Sequence, residues 1–300
     1  PSISSRPAYS ACWTNCARGL AEPATLLGRR VERLRPLGGG CLFDVRAADL
    51  DDGTRVVVKA GTGGLTGQLA LEARMLADLR AAEVAVPEVL HVDDDQLVLS
   101  WIDHDGGGLG REGRALLADQ LAALHARPQP AFGYDYDTVI GSLPQPNPAA
   151  PDWCTFFREH RLLGPAERAR AEGVMDPGVH RRLEALARRL DELIVEPPHP
   201  ELLHGDLWAG NVLAKGGRPV AWIDPAIYRG HGEIELAFAL LFGPFDRRAV
   251  ARYAEHRPLA PGFEPTRCAI YQLYHLLNHL RLFGRGYLGA IANRLEVLGL

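Results

Sequence analysis

Apolar and polar positions alternate through the first third of the chain. Over 31–37, 41–47 and 54–59 the apolar residues recur at or near a period of two, and Gly38-Gly39-Gly40 and Asp51-Asp52-Gly53 punctuate them. These segments predict a small antiparallel sheet whose first turn is rich in glycine. The period then changes. Leu65, Leu69, Leu76 and Leu79 recur at helical spacing, which predicts a helix over 65–79, with Pro87 closing the connection that follows. Two further strands, 88–92 and 96–102, flank Asp93-Asp94-Asp95.

Beyond Trp101-Ile102 the pattern is mostly helical. Gly106-Gly107-Gly108 reads as a joint, and helices are predicted over 112–126, 153–163, 180–193, 234–241 and 265–283. A proline-rich loop over 143–151 interrupts them, and one hairpin over 211–224 turns at Gly216-Gly217. The expected class is α+β: a β-rich lobe with one helix over 20–102, then a larger helical lobe over 103–300. The junction of two such lobes is a common place for a ligand. Residues 1–20 show no periodicity and read as a flexible lead.

Composition narrows the function classes. The 300 residues are 47% hydrophobic and 23% charged, enough for a core and unlike a disordered or fibrous chain. The apolar run 236–245 is far short of the roughly 20 residues of a membrane helix, and nothing basic-then-apolar opens the chain, so a soluble protein without an export signal is expected. A net charge of −4 argues against nucleic acid as the main partner. The mixed Arg/Glu stretch over 158–192 reads as solvated helix faces. Cys12, Cys16, Cys41, Cys154 and Cys268 make no CxxC pair, which suits reduced thiols in the cytoplasm and gives zinc no support.

Chemistry concentrates in His204-Gly205-Asp206-Leu207-Trp208-Ala209-Gly210-Asn211 and in Trp222-Ile223-Asp224-Pro225. Asp206 and Asn211 stand five apart, the offset of Asp and Asn in the kinase loop H-R-D-L-x-x-x-N, and Asp224 follows a short hairpin later as the D-F-G aspartate does. The hairpin returns Asn211 and Asp224 side by side, where oxygen ligands can share one Mg²⁺, and leaves Asp206 to accept a proton from a hydroxyl. Singly, His-Gly-Asp is a turn and Asp224-Pro225 the end of a strand; the catalytic reading rests on the combination.

Lysine occurs only at Lys59 and Lys215, and arginine supplies the other 31 of 33 basic residues. A lysine ending Val56-Val57-Val58-Lys59 therefore points to a compact charge for nucleotide phosphates, with Glu72 in the next helix as its partner. Gly38, Gly39 and Gly40 could lay backbone N–H groups over phosphates, although the run is neither G-x-G-x-x-G nor Walker A. Val45, Val57, Leu213 and Ile223 are candidates to sandwich an adenine, with the backbone from Ser100 through Trp101 to Ile102 pairing its edge. His275 and His279 lack the glutamate of H-E-x-x-H and read as helix packing.

These residues resemble the fructosamine kinases (ketosamine 3-kinases), relatives of the aminoglycoside phosphotransferases within the protein-kinase-like fold. The resemblance covers residues 26–295 and runs through Pro36-Leu37-Gly38-Gly39-Gly40-Cys41, Phe132-Gly133-Tyr134, Gly141-Ser142-Leu143-Pro144-Gln145-Pro146-Asn147, Asp152-Trp153 and His204 to Asn211. It continues through Asp224-Pro225-Ala226, Gly230-His231-Gly232-Glu233, Tyr274 to His279 and Phe283-Gly284-Arg285-Gly286-Tyr287. It implies phosphorylation of O3 on a ketosamine or glycated protein, using ATP and Mg²⁺, by a two-lobed enzyme; a monomer is expected. By that resemblance Asp206 is catalytic and Asn211 and Asp224 hold the metal. Lys59 and Glu72 orient phosphates, Cys41 lies in the glycine loop as a thiol of possible sensitivity, and Trp208, His231 and Glu233 belong to the substrate side. Glu235 would brace the catalytic loop. Arg229 and Gly232 depart from the family pattern. The competing expectations are a kinase for an aminoglycoside or amino alcohol, and a nucleotide-binding pseudokinase scaffold.

Overall fold

The computed structural model describes residues 25–38, 43–61 and 66–300. The chain divides into two compact units, one running up to Ala81 and taking in Ala85–Asp103, the other comprising Ala82–Val84 and His104–Leu300.

The first unit is a six-stranded antiparallel sheet with one helix. Its strands are β1 (Thr25–Leu26), β2 (Arg29–Pro36), β3 (Asp44–Leu50), β4 (Arg55–Ala60), β5 (Val89–Val92) and β6 (Gln96–Ser100), in the order β1-β2-β3-β4-β6-β5. Register sorts the side chains. Leu26, Ala48, Leu50, Val56, Val58 and Val98 form one buried face. The pairs Val45↔Lys59, Ala47↔Val57, Lys59↔Leu97 and Val57↔Leu99 put Val45, Ala47, Val57, Lys59, Leu97 and Leu99 on the other. Helix α1 (Thr66–Ala81) buries Leu69, Glu72, Leu76 and Leu79. Glu72 thus lies on the apolar stripe at i, i+3, i+7 and i+10, so the helix carries its carboxylate inward.

The second unit is mainly helical: α2 (Arg111–His125), α3 (Trp153–Phe156), α4 (Gly164–Ala171), α5 (Pro177–Ala187), α6 (Leu190–Leu193), α7 (Gly232–Phe242), α8 (Arg247–His256), α9 (Cys268–Phe283) and α10 (Leu288–Val297). Three two-stranded ladders are set among them: β7 (Thr138–Ile140) with β8 (Leu143–Gln145), β9 (Glu201–Leu203) with β12 (Tyr228–Gly230), and β10 (Val212–Lys215) with β11 (Arg218–Trp222). Helices α7 and α9 are buried nearly all round and form the centre of this unit. His275 and His279 of α9 stack on Phe238 and Phe242 of α7, with ring centroids 3.7 Å and 4.6 Å apart, so the packing reading of that pair holds.

Several elements differ from the sequence pattern. The segment 143–151 is not all loop, because β8 pairs there with β7. The predicted helix over 153–163 widens to a π-helix at Phe157–Leu163. The helix expected from 180 begins at Pro177, since Asp176 caps it by accepting from the backbone N–H groups of Gly178 and Val179. The 158–192 stretch is not wholly solvated: Arg161 has no exposed surface and His180 is 6% exposed. Among the described residues no helix is long and apolar enough to cross a membrane.

Candidate active site

Strand β9 ends at Leu203, and the next three residues make a tight turn held from both sides. His204 Nε2 is 3.0 Å from the Ile223 carbonyl, and its Nδ1 accepts from Asp206 N at 3.3 Å. Those two partners select the neutral ring protonated on Nε2, and burial pushes the imidazole pKa down in the same sense. Gly205 has φ +81, and a Cβ there would collide with the Ala226 carbonyl, so only glycine allows this approach. Below the turn, Glu235 of α7 accepts the Gly205 N–H on Oε1 at 2.8 Å and the His204 N–H on Oε2 at 3.2 Å.

The turn presents Asp206 to Asn211 and Asp224. Asn211 Nδ2 donates to the Asp206 carbonyl at 2.9 Å and to Asp206 Oδ2 at 3.1 Å, and reaches the Asp224 carbonyl at 3.4 Å. Asp224 follows β11 with φ 52, a left-handed conformation rare for a residue with a Cβ. Its neighbour Ala226 is fixed by N–H donation to the His204 carbonyl at 2.8 Å. Burial raises the Asp206 pKa well above the usual carboxylate value, the negative charge of Asp224 adds to that, and the Asn211 hydrogen bond opposes it. The donor set fits a hard divalent cation: the Asn211 amide nitrogen is committed, its oxygen and the Asp224 carboxylate are hard donors, and a cation would relieve the repulsion between the two aspartates.

In the first unit, Lys59 Nζ lies 2.6 Å from Glu72 Oε1, both side chains being buried. Val45 and Val57 are half-buried on the same sheet face as Lys59. Gly38 follows β2, where Leu37 N donates to the Val45 carbonyl at 2.8 Å, while Gly39, Gly40 and Cys41 lie outside the described residues. The Ser100 N–H is used within the sheet, donating to the Glu88 carbonyl at 2.8 Å, and the strand ends there, so Trp101 and Ile102 lie beyond its ladder. In the second unit, Leu213 of β10 and Ile223 after β11 are half-buried near the open end of their hairpin.

The expected substrate residues differ among themselves. Trp208 is half-buried, and its ring covers Gly210 so closely that a Cβ there would strike it. His231 caps α7, accepting from Glu233 N at 3.1 Å beside Trp153 and Tyr271, and burial with nearby Arg267 lowers its pKa to about 3. Glu233 is 2% exposed with both oxygens on Arg267 at 2.6 Å and 2.7 Å. Its carboxylate is thus paired with Arg267 within the fold.

Sequence reasoning named Glu235 as a brace of this loop but missed the other supports. His125, given no role, bridges Glu235 Oε2 at 3.0 Å and Tyr253 Oη at 2.9 Å. From the β7–β8 hairpin, Gln145 donates to the Ala226 carbonyl at 2.9 Å and Thr138 to the Ile227 carbonyl at 3.1 Å, pinning the segment after Asp224. Arg161 underlies that hairpin, donating to Asn147 Oδ1 at 2.5 Å with its guanidinium over the Tyr228 ring at 4.1 Å. Of these, Gln145 and Asn147 stand in the 141–147 stretch that carries the resemblance; His125, Thr138 and Arg161 had no such signal.

Residues 13–298 match the family described as fructosamine kinase. The chain belongs to that family. It is 35% identical over 269 residues to the "probable ketoamine kinase" of Synechocystis, spanning 86% of this chain and 87% of that one. A solved structure from Thermobifida fusca titled "putative fructosamine-3-kinase" is 34% identical, covers 91% of this chain and 95% of its own, and superposes with a TM-score of 0.82. A macrolide 2'-phosphotransferase type I structure, 19% identical over 89% of this chain and 92% of its own at a TM-score of 0.64, shares the fold. The family member described here is thus a phosphotransferase with a kinase-like α+β fold.

Proposed function

We propose that this chain transfers the terminal phosphoryl group of ATP to O3 of a ketosamine, a ketose joined to an amine through its first carbon. The observation that carries the reading is the Asp206–Asn211–Asp224 constellation, in which one carboxylate has a raised proton affinity and sits hydrogen-bonded beside two hard oxygen donors. Asn211 and Asp224 hold Mg²⁺. When bound, the ion supplies charge neutralisation for the phosphate oxygens. Asp206 accepts a hydrogen bond from the attacking hydroxyl, aligns it, and takes its proton as the phosphoryl group leaves ADP. Its raised pKa suits a proton acceptor, and such a group contributes about 10²- to 10⁴-fold in rate.

Lys59, fixed by Glu72, grips the nucleotide phosphates, and the glycine run at 38–40 offers them backbone N–H groups. Val57, Leu213 and Ile223 supply apolar contacts to the base, and the backbone at Trp101 and Ile102 pairs its edge. Trp208, two residues after the base and held flat over Gly210, offers a ring face to the sugar or its cationic amine. The relatives' names, ketoamine kinase and fructosamine-3-kinase, support both acceptor class and position.

An ADP-release screen over ribulose-, erythrulose- and fructose-amines, with kanamycin and choline as controls, tests the acceptor. Turnover on at least one ketosamine, with product phosphate on O3 by ³¹P–¹H NMR, is expected. Turnover confined to kanamycin or choline would overturn the ketosamine assignment, and ADP release with no acceptor at all would overturn the transferase reading.

A further inference from the structure

Apart from the constellation above, the described residues hold one cluster of metal-ligating side chains, at Glu167, His180 and Glu184. His180 and Glu184 stand four apart on α5 and so share a helix face, and α4 brings Glu167 against them. One donor atom from each residue lies within 4.8 Å of the others. His180 Nε2 is 3.0 Å from Glu167 Oε1, and its Nδ1 is 3.8 Å from Glu184 Oε1.

Two independent observations point to a ligand. His180 is 6% exposed, yet its Nε2, 3.0 Å from Glu167 Oε1, makes no well-formed hydrogen bond. Both glutamates are half-exposed and line a surface cavity of about 680 Å³ with Leu163, Ala187 and Arg188. An ion entering from solvent meets two carboxylates with a buried imidazole nitrogen behind them. Glu167 uses Oε2 for Arg170 at 3.0 Å, so ligation by Oε1 leaves that pair in place.

We propose that Glu167, His180 and Glu184 form a binding site for one divalent transition cation of the zinc class. The imidazole nitrogen selects against Mg²⁺ and Ca²⁺, which prefer all-oxygen shells, and favours Zn²⁺, Ni²⁺ or Co²⁺. Two carboxylates neutralise the ion, and water completes its coordination. Its ligands come from two neighbouring helices, so the ion acts as a clip that joins α4 to α5.

The test is titration of the full chain with Zn²⁺ in millimolar Mg²⁺, followed by calorimetry and by thermal melting, with Co²⁺ absorption reporting the nitrogen donor. One Zn²⁺ per chain, a rise in Tm on binding, and a loss of affinity of roughly tenfold or more in His180→Gln and in Glu167→Gln/Glu184→Gln are expected. The double glutamate variant changes only half-exposed groups, and circular dichroism checks that it folds. Absence of binding by the wild type, or wild-type affinity retained in the folded double variant, would overturn the site.

Discussion

Glu235→Gln tests how the catalytic turn is held. The wild-type carboxylate accepts three hydrogen bonds at a site with almost no exposed surface: from Gly205 N at 2.8 Å, from His204 N at 3.2 Å, and with His125 Nε2 at 3.0 Å. Glutamine has the same shape but only one acceptor oxygen. If that oxygen keeps Gly205, the amide NH₂ faces the His204 N–H, donor against donor. His125 can adapt by accepting on Nε2 and donating from Nδ1 to Tyr253, so its bond survives. The loss is one charge-assisted bond, about 1.5–3 kcal/mol, and weakening of a second by about 0.5–1 kcal/mol, or roughly 2–4 kcal/mol in all. Urea unfolding should show that decrease. Because Gly205 adjoins Asp206, kcat should fall by roughly tenfold to a hundredfold while KM for ATP stays near the wild-type value. Tyr253→Phe, which removes the hydroxyl that His125 and Arg257 share and leaves Glu235 itself unchanged, should cost about 1 kcal/mol and leave kcat nearly intact. A Glu235→Gln protein with wild-type stability and kcat would refute the bracing role.

Two further outcomes follow from buried charge. Lys59→Met removes the ammonium from beside the buried Glu72 carboxylate and should destabilise the first unit by about 3–5 kcal/mol in guanidinium unfolding, whereas Lys59→Met/Glu72→Leu should recover most of that loss; equal stability of the two variants would contradict a buried ion pair. The pKa values of His204 and His275 are lowered by burial, that of His231 falls to about 3 and that of His279 to about 4, from an ordinary 6.5. The unfolded chain therefore binds more protons below pH 6.5, so this stability is present above 6.5 and is lost as pH falls toward 4, at up to about 1.4 kcal/mol per pH unit for each histidine. Asp206 and Glu233 work in the opposite direction, their contributions being lost as pH rises through their raised pKa values. A urea midpoint unchanged between pH 7.5 and pH 5 would contradict the burial of these rings.

What could be read from the chain was what repeats locally. Period-two alternation located β3, β4 and β6, the i, i+3, i+7 stripe put Glu72 on the inward face of its helix, and the turn at Gly216-Gly217 set the Asn211–Asp224 hairpin. The offset of Asp206 and Asn211 was legible because their hydrogen bond closes over five residues. Apart from Glu235, which the resemblance marks as a brace of the catalytic loop, the supports were not. Glu235 and His125 meet across 110 residues, and Gln145 and Ala226 across 81, distances over which no periodicity operates. Strands of three residues, such as β7, β8, β9 and β12, hold too few alternations to stand out. Arg161 was read as a solvated charge because its type favours the surface, yet Phe156, Tyr228 and Tyr274 enclose its guanidinium.

The central claim is that Asp206 acts on the acceptor hydroxyl and not on the nucleotide. Asp206→Asn preserves the shape of the turn and its hydrogen bonding to Asn211 while removing the proton acceptor. Its rate of ADP formation with a ketosamine, measured beside its affinity for ATP in Mg²⁺, is the most direct test. A rate lowered by roughly 10²-fold or more with ATP affinity within a few-fold of wild type is expected, and near-wild-type turnover would contradict the assignment.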